Sequence, residues 1–253
     1  MLAVFKRELK SYFTNPLGFI ILAAFYFFLG LGFMLVFSSG SPNMGETVFF
    51  TAQIGILYFI IPVITMRLFS DERRQKTDQA LFTAPVKLID IVLGKFFASF
   101  VLYALGFVPT IIFQMIASSY VSTARYVFYF AYALLGIMLF GAALIAIGMF
   151  ISSLTESPII SIIFTLIVNL FIMFSGAFAS MITVPTSTSN IFAAAWAWVL
   201  KSIVSFLNGM NFLTVLESFG EQSFAIKDVI FFVSIIIAFI FLTERSLEKR
   251  RWS

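Results

Sequence analysis

The side chains of this sequence that could do chemistry are few in kind. Its 253 residues include no histidine and no cysteine, which excludes Cys/His zinc sites, thiolate nucleophiles and acid–base catalysis by imidazole. A phosphate-binding loop of the GxxxxGK(S/T) type is also absent, because the nearest fragment, Gly94-Lys95, lacks the upstream glycine and the following serine or threonine. We therefore expect no catalytic residues, no metal ligands and no bound cofactor in this chain.

Charge is concentrated in one segment, residues 67–95, where its sign alternates. The charged residues are Arg67, Asp71, Glu72, Arg73, Arg74, Lys76, Asp78, Lys87, Asp90 and Lys95. Apolar residues recur beside them at helical spacing, first Leu68, Phe69, Leu81 and Phe82, then Leu88, Ile89, Val92 and Leu93. Pro85 separates the two sets and suits the first turn of a helix. The pattern predicts two short amphipathic helices with a tight bend, and favours a docking element over a solvated loop that only enforces topology.

The rest of the chain is too apolar for a soluble domain. Hydrophobic residues make up 61% of the sequence and charged residues 11%, whereas soluble domains carry roughly a quarter charged residues. A helix that crosses a bilayer needs about 20 apolar residues. Six stretches meet this need, namely Leu17–Phe37, Thr47–Met66, Phe96–Ser118, one within Tyr126–Ser153, 158–182 and Ile226–Thr243. The sequence predicts an all-α integral membrane protein with about six transmembrane helices in a single domain, 1–253.

The distribution of basic residues predicts the orientation of these spans. If the N-terminus is cytoplasmic, 13 of the 16 Lys and Arg residues fall in segments on the cytoplasmic side. Such an excess is the usual sign of cytoplasmic loops. We expect a multi-pass protein of the bacterial inner membrane with both termini in the cytoplasm. Orientation in the membrane also explains the net charge of +4 without a nucleic-acid partner.

The segment before the first span has the pattern of an amphipathic helix. Apolar residues recur at Leu2, Phe5, Leu9 and Phe13, and the basic residues Lys6, Arg7 and Lys10 fall largely on other faces. Helices of this kind lie in the membrane interface. Asn15-Pro16 breaks the pattern, since a residue before proline avoids the helical conformation. We expect a helix on the inner leaflet within residues 1–16.

The segment between the fifth and sixth spans, 183–225, is harder to assign. Ile191–Leu207 is apolar but contains Lys201. A seventh span here would move the basic C-terminal residues to the outside, against the charge rule. We therefore expect an external interfacial or re-entrant helix, with Trp196 and Trp198 at the interface, followed by a second short helix over Phe212–Phe219.

Polar side chains within the spans have two possible roles. Gln53, Gln114 and Asn169 lie in apolar stretches, where an unpaired amide is costly. Each is expected either to bond to another helix or to contact a transported molecule. Pro62 and Pro109 are expected to kink their helices. No span contains a central ionisable residue, which disfavours a proton- or sodium-coupled transporter or a channel.

Three segments resemble one family. The segment MRLFSDERRQKTDQALFTAPVKLIDIVLGKF, Met66–Phe96, is similar to the cytoplasmic loop of type-2 ABC permeases, the type V exporter fold. FKRELKSYFTNPLGFI near the N-terminus resembles the elbow helix of that family, and DVIFFVSIIIAFIFLTERSLEKRRW resembles the closing span of its gliding-motility branch. The resemblance extends over essentially the whole chain and is weakest in the middle spans.

The resemblance implies a set of partners. Such permeases work in pairs, each half bound to a cytosolic ATPase subunit that binds ATP and Mg²⁺. The loop 67–95 would then hold the coupling helix, and the elbow-helix residues Lys6, Arg7 and Lys10 would contact the same subunit. The residues expected to couple to the ATPase are Glu72, Arg73, Arg74, Thr77, Asp78, Gln79, Leu81, Phe82, Pro85, Lys87 and Asp90.

Three functions are open at this point. The first is an ABC exporter whose pathway lies between two permease halves, identical or paralogous. The second is an ABC complex that performs mechanical work on an extracytoplasmic partner, such as a membrane-anchored subunit with a large external domain that docks on 183–225. The third, a secondary transporter or channel, is disfavoured by the uncharged spans.

Overall fold

A computed structural model describes residues 1–38, 42–77, 87–118, 125–185, 191–220 and 226–251. Within these ranges the regular structure is helical throughout, with no strand. The eleven helices of the described residues are α1 (Leu2–Thr14), α2 (Pro16–Ser38), α3 (Pro42–Thr65), α4 (Ser70–Arg74), α5 (Leu88–Gly106), α6 (Val108–Ser118), α7 (Arg125–Leu154), α8 (Pro158–Met181), α9 (Ile191–Gly209), α10 (Phe212–Gly220) and α11 (Ile226–Arg251).

Six helical segments are long and apolar enough to cross a membrane. They are Pro16–Leu35, Ile54–Arg74, Leu88–Phe113, Phe130–Leu154, Pro158–Met181 and Ile226–Arg250. A helix suits this environment because it satisfies its backbone hydrogen bonds internally, where hydrocarbon offers no partner. The prediction of an all-α integral membrane protein with about six spans is confirmed.

The third span differs from its predicted bounds. Its helix begins at Leu88 rather than Phe96, so Leu88–Lys95 is the start of a long helix and not a separate amphipathic one. No proline interrupts α5 after Leu88, and a helix once begun is extended at little cost. The predicted second helix of the charged segment is therefore wrong: its apolar residues continue directly into the span.

Two prolines change the hydrogen bonding of carbonyls four residues earlier. Pro109 has no N–H for the carbonyl of Leu105, which instead accepts a backbone N–H at the helix end and a hydrogen bond from the hydroxyl of Tyr26 at 3.1 Å. The helix breaks here, at Phe107, between α5 and α6. Pro62 likewise cannot bond to the carbonyl of Tyr58, and the side-chain amide of Asn169 donates to it at 3.3 Å. Both contacts join neighbouring spans.

Helix α7 lies at the centre of the bundle. Residues 142–149 are almost entirely buried, and α3, α5, α8 and α11 pack around them. The hydroxyl of Tyr103 in α5 donates to the carbonyl of Ile137 at 2.7 Å. The ring of Phe140 meets those of Tyr58, Phe212 and Phe232 edge to face. The core thus joins spans two to six and the α9–α10 segment.

Helices α9 and α10 form a pair bent by 47°. Near the end of α10, Ser218 donates to Asp228 at the start of α11, at 2.6 Å. At the start of α10, Phe212 meets Phe232, one turn further along α11, at a ring distance of 5.7 Å. Asp228 and Phe232 are four residues apart in α11, which is about 6 Å along the helix at 1.5 Å per residue. The turn between α9 and α10, next to Phe212, therefore lies about 6 Å deeper in the bundle than Ser218.

The bent pair returns to the end of the bundle from which it enters. At the turn, Asn211 packs against Gly176, where a Cβ atom would lie 2.3 Å from its Nδ2. Gly176 is five residues, about 8 Å, from the end of α8. The turn therefore lies only slightly deeper than that end, which also leads into α9. This geometry is that of a re-entrant segment between the fifth and sixth spans.

The two ends of the bundle are distinct. One end holds α1, α4 and the last turns of α7 and α11, which are joined by contacts between Arg7 and Glu72, Arg73 and Leu154, and Ser153 and Ser246. We call this the basic end. The other, which holds α9 and α10, we call the opposite end.

Candidate functional site

A short turn separates α3 from α4 within the second span segment, at the basic end. It comprises Met66–Phe69, and the hydroxyl of Ser152 in α7 holds it in place. Ser152 accepts hydrogen bonds from the backbone N–H groups of Phe69, at 3.1 Å, and Ser70, at 3.3 Å, and donates to the carbonyl of Met66 at 3.2 Å. A buried turn needs such partners because its backbone groups cannot reach water. One side chain of α7 thus fixes the direction in which the chain leaves α3.

Lys95 of α5 lies beneath this turn and is 1% exposed. Its Nζ atom donates to the carbonyl of Leu68 at 2.6 Å and lies 2.9 Å from Glu72 Oε1 and 3.3 Å from Glu8 Oε1. An ammonium group has three N–H donors, and three acceptors surround it. The ring of Phe69 is 5.0 Å from the same nitrogen. Lys95 therefore joins α5 to α4 and to α1.

Arg7 completes the cluster from the side of α1. Its Nη2 atom lies 2.7 Å from Glu8 Oε1 and 3.1 Å from Glu72 Oε1. The hydrogen bond to Glu8 raises the pKa of the Arg7 guanidinium. Two cations and two carboxylates alternate in this set, which has no net charge. A buried ammonium is tolerated only with such pairing, since the desolvation of an isolated charge is costly. We call Arg7, Glu8, Glu72 and Lys95 the four-charge cluster.

Arg73 attaches α4 to the turn between the fourth and fifth spans. Its Nη1 atom donates to the carbonyl of Leu154, the last residue of α7, at 2.7 Å, and its Nη2 atom lies 2.6 Å from Glu156 Oε1. The C-terminal end of a helix has partial negative charge, which favours a cation there. Since the four-charge cluster and Arg73 engage successive residues of α4, this helix contacts four other elements of the bundle.

Helix α1 packs closely on α5 beside the cluster. Tyr12 donates to the carbonyl of Ile64 at 3.0 Å and lies 3.2 Å from Ser99 Oγ, and burial raises the pKa of its phenol. At Gly94 a Cβ atom would lie 3.0 Å from the Cβ of Val4. The glycine therefore allows α1 to approach the helix of the third span.

The residues predicted to couple to an ATPase are found in three situations. Glu72 and Arg73 belong to the contacts described above. Arg74, Thr77 and Lys87 are exposed, and Asp90 lies 3.9 Å from the N-terminal amine. Asp78, Gln79, Leu81, Phe82 and Pro85 lie outside the described residues.

The predicted elbow and span residues divide in the same way. Arg7 is part of the four-charge cluster, whereas Lys6 and Lys10 are exposed and form no ion pair with a described side chain. Asn169 is fully buried and bonds to the backbone of the second span. The side chains of Gln53 and Gln114 lie outside the described part of the chain.

The sequence does not indicate the hydrogen-bonding roles of Glu8, Lys95, Ser152 and Glu156. Lys95 stands out only by its charge, because its carboxylate partners are 23 and 87 residues away in sequence. Glu8 had one available signal: it faces the same side of α1 as Val4 and Tyr12, at four-residue spacing, which is the side that packs on α5.

The contacts of this region attach α4 to the rest of the bundle. In the part of the chain that the structure describes, no group of three or more His, Cys, Asp or Glu side chains could hold a metal ion. The contacts attach this short charged helix at separate points to α1, α5, α7 and the turn before α8. A displacement of α4 would therefore act on α1 and on the third and fourth spans as well as the second.

Comparison with protein families gives a match that covers most of the described site. The model of a protein family described as ABC-2 family transporter protein matches residues 9–172. This range is more than half of the chain, and it includes α4, Lys95, Ser152 and Glu156. A comparison with curated proteins gave no match.

Proposed function

The chain belongs to the ABC-2 family of transporter proteins, and from that premise we propose that it is the permease half of an ATP-driven exporter. A separate cytosolic ATPase subunit binds ATP and Mg²⁺, and this chain converts the motion of that subunit into movement of its spans. Two such halves, identical or paralogous, enclose the pathway. The basic end faces the cytoplasm of a bacterial cell, so that both termini are on the side of the ATPase.

One observation supports this proposal above the others. Helix α4 is held by Lys95 to α1 and α5, by Ser152 to α7, and by Arg73 to the turn before α8. A loop that only connects two spans would need none of these contacts. A coupling element needs them, because force applied to a loosely held loop would be lost in local bending.

The exposed charges near α4 define what the ATPase surface should offer. Arg74, Lys76 and Lys87 are exposed, and none forms an ion pair with a described side chain. The carboxylates of Asp71, Glu72 and Glu156 are instead engaged by cations of this chain. The described part of the docking surface is therefore basic, and the groove of the ATPase that receives it is expected to be acidic, which would fix orientation more than affinity.

The test uses charge reversal at positions outside the four-charge cluster. Arg74→Glu and Lys87→Glu are expected to reduce recovery of the ATPase with the purified permease by at least about tenfold, because like charges at an interface are strongly unfavourable. Lys201→Glu, an exposed lysine at the opposite end, is the matched control. Thermal unfolding of each permease variant shows whether the fold is retained. Normal ATPase recovery and stimulation with Arg74→Glu and Lys87→Glu would contradict the assignment.

A second candidate is mechanical work on an external partner. The observation that favours it is the aromatic surface of α9, where Trp196 is 61% and Trp198 70% exposed. Such residues suit either the membrane interface or a bound protein. Purification of the native complex distinguishes the two functions. A stably bound subunit with a large external domain supports mechanical work, and ATP-dependent efflux by the reconstituted complex without such a subunit supports export.

A further inference from the structure

Helix α1 presents three different sides. Val4, Glu8 and Tyr12, at four-residue spacing, face the bundle and contact Gly94, Lys95 and Ser99 of α5. Phe5, Leu9 and Phe13 form an adjacent apolar row that is half-buried. Lys6 and Lys10 form a third row, which is exposed. The three rows are neighbours because residues three or four apart share a helix face.

The apolar row of α1 marks the level of the membrane. Asn15 is extended, and Pro16 opens the first span directly after it. The ring of Phe13 packs edge to face on Phe19, one turn into that span, at a centroid distance of 5.8 Å. Phe19 itself is 58% exposed on the outer surface of the bundle, where hydrocarbon covers it. Phe13 and its row therefore lie against the acyl chains, and α1 lies along the surface of the leaflet.

Lys6 and Lys10 then lie at the level of the lipid headgroups. Lys6 is three residues from Leu9, and Lys10 three residues from Phe13, so that each lysine borders the apolar row. Both point away from the side that packs on α5. Arg7 is directed elsewhere, to Glu8 and Glu72. The basic residues of α1 thus divide into one that serves the four-charge cluster and two that have no partner among the described side chains.

We propose that Lys6 and Lys10 bind the phosphate of an anionic phospholipid in the leaflet at the basic end. Each long side chain can extend over its apolar neighbour to reach a headgroup. The opposite charges provide the attraction, and the acyl chains of the same lipid cover Leu9 and Phe13. Because Glu8 on the adjacent side bonds to Lys95, the bound lipid holds α1 against the third span. No ATPase is needed for this contact.

A single fluorophore beside the two lysines can measure the contact. The chain has no cysteine, so Ala3→Cys introduces one labelling site on an exposed turn next to Lys6. The labelled full-length protein is reconstituted in nanodiscs of phosphatidylcholine. Trace amounts of either phosphatidylglycerol or phosphatidylcholine with a nitroxide near the headgroup then quench the fluorophore. The ratio of the two quenching constants reports the local preference for the anionic lipid.

The expected preference is large enough to measure. Each lysine near an anionic surface contributes about 1 kcal/mol, which corresponds to about fivefold in binding. Lys6→Gln with Lys10→Gln should bring the quenching ratio close to one, and Lys6→Arg with Lys10→Arg should retain it. Lys201→Gln, at the opposite end, should leave it unchanged. Salt at about 1 M should weaken the preference of the unmodified protein, because the Debye length falls to about 3 Å.

One result would overturn the proposal: a quenching ratio that is the same with glutamine and lysine at both positions. If the glutamine variant then also fails to recover the ATPase, Lys6 and Lys10 belong to a protein contact instead. Since the quenching measurement is made without an ATPase, failure of the coupling role of α4 would not alter its outcome.

Discussion

The Nζ atom of Lys95 lies 2.9 Å from Oε1 of Glu72, across the turn that leads from α3 to α4. The lysine is 1% exposed and the glutamate side chain 20%. A charged pair so close and so poorly hydrated is held by its surroundings, here by Glu8 and Arg7 from α1. This ion pair connects α4 directly to the helix of the third span. Substitutions in the pair therefore test how the helices of the basic end are held together.

Lys95→Met should strongly destabilise the protein. The substitution leaves Glu8 and Glu72 facing each other without the cation between them. We expect a loss of about 3 kcal/mol, the lower end of the range for a broken buried pair, since both carboxylates retain some contact with water. Unfolding of the detergent-purified chain measures the effect. Lys87→Met, at an exposed position just before the same helix, is the control and should change stability by less than about 0.5 kcal/mol.

Removal of the two carboxylates should recover part of the stability that Lys95→Met loses. In the variant with Lys95→Met, Glu8→Gln and Glu72→Gln, no uncompensated carboxylate remains next to the methionine, and neutral sets often match buried ion pairs in stability. The triple variant should unfold at a higher temperature than Lys95→Met alone. If it unfolds at the same or a lower temperature, the three side chains do not act as one unit.

Ser152→Ala should loosen the turn before α4 while leaving the spans in place. The change removes one acceptor for two backbone N–H groups, and unsatisfied buried groups cost about 1–3 kcal/mol each. Hydrogen exchange at Phe69 and Ser70 should increase, and the unfolding temperature should fall. Ser180→Ala is a suitable comparison, because the hydroxyl of Ser180 bonds only to its own helix, at the carbonyl of Ala177. Equal protection at Phe69 in both variants would argue against the role of Ser152.

Asn169→Leu should lower the stability of the protein only when residue 62 is proline. The amide of Asn169 donates to the carbonyl of Tyr58, which Pro62 leaves without a helical partner. Interhelical hydrogen bonds in membranes contribute about 0.6 kcal/mol on average and at most about 1.7. In the Pro62→Ala background, the restored N–H of residue 62 supplies that partner. A double-mutant cycle should therefore show coupling between the two positions, and additive effects would show that the proline and the amide are independent.

Single cysteines should report the proposed orientation. Lys201→Cys should react with a membrane-impermeant maleimide in intact cells, whereas Lys87→Cys and Lys249→Cys should react only after permeabilisation. All three lysines are exposed, and the chain has no other cysteine. Because a bent pair that crossed the membrane would place Lys87 and Lys249 on different sides, labelling of Lys249→Cys in intact cells would contradict both the orientation and the re-entrant geometry.

The spans were the most predictable part of the structure. Stretches of about 20 residues without charge have few alternatives in a bilayer, so the six spans follow from composition. The start of the third span could not be predicted in this way, because the charges of Asp90 and Lys95 are typical of a segment in water rather than of a membrane span. Lys95 is buried only because Glu72 and Glu8 meet it there, and such a contact is not visible along the chain.

The backbone carbonyls that receive side-chain hydrogen bonds from neighbouring spans were predictable in principle. A proline removes the regular helical donor of the carbonyl four residues earlier, so Pro62 and Pro109 identify the oxygens of Tyr58 and Leu105. What the sequence does not reveal is the donor, which comes from Asn169 in one case and Tyr26 in the other. These choices depend on which helices are neighbours, and the middle spans have too few distinctive residues to indicate that.

The order of the four-charge cluster along the chain has a consequence for biosynthesis. Arg7, Glu8 and Glu72 all leave the ribosome before Lys95, so the last member of the set is also the most deeply buried one. When the third span is inserted, its lysine meets two carboxylates that are already in place, and its charge is neutralised on arrival. A ribosome-bound chain that ends soon after the third span would therefore already contain the complete cluster. The four-charge cluster would then be assembled before the fourth span is made, and α7 would add Ser152 and the carbonyl of Leu154 to a structure that already exists.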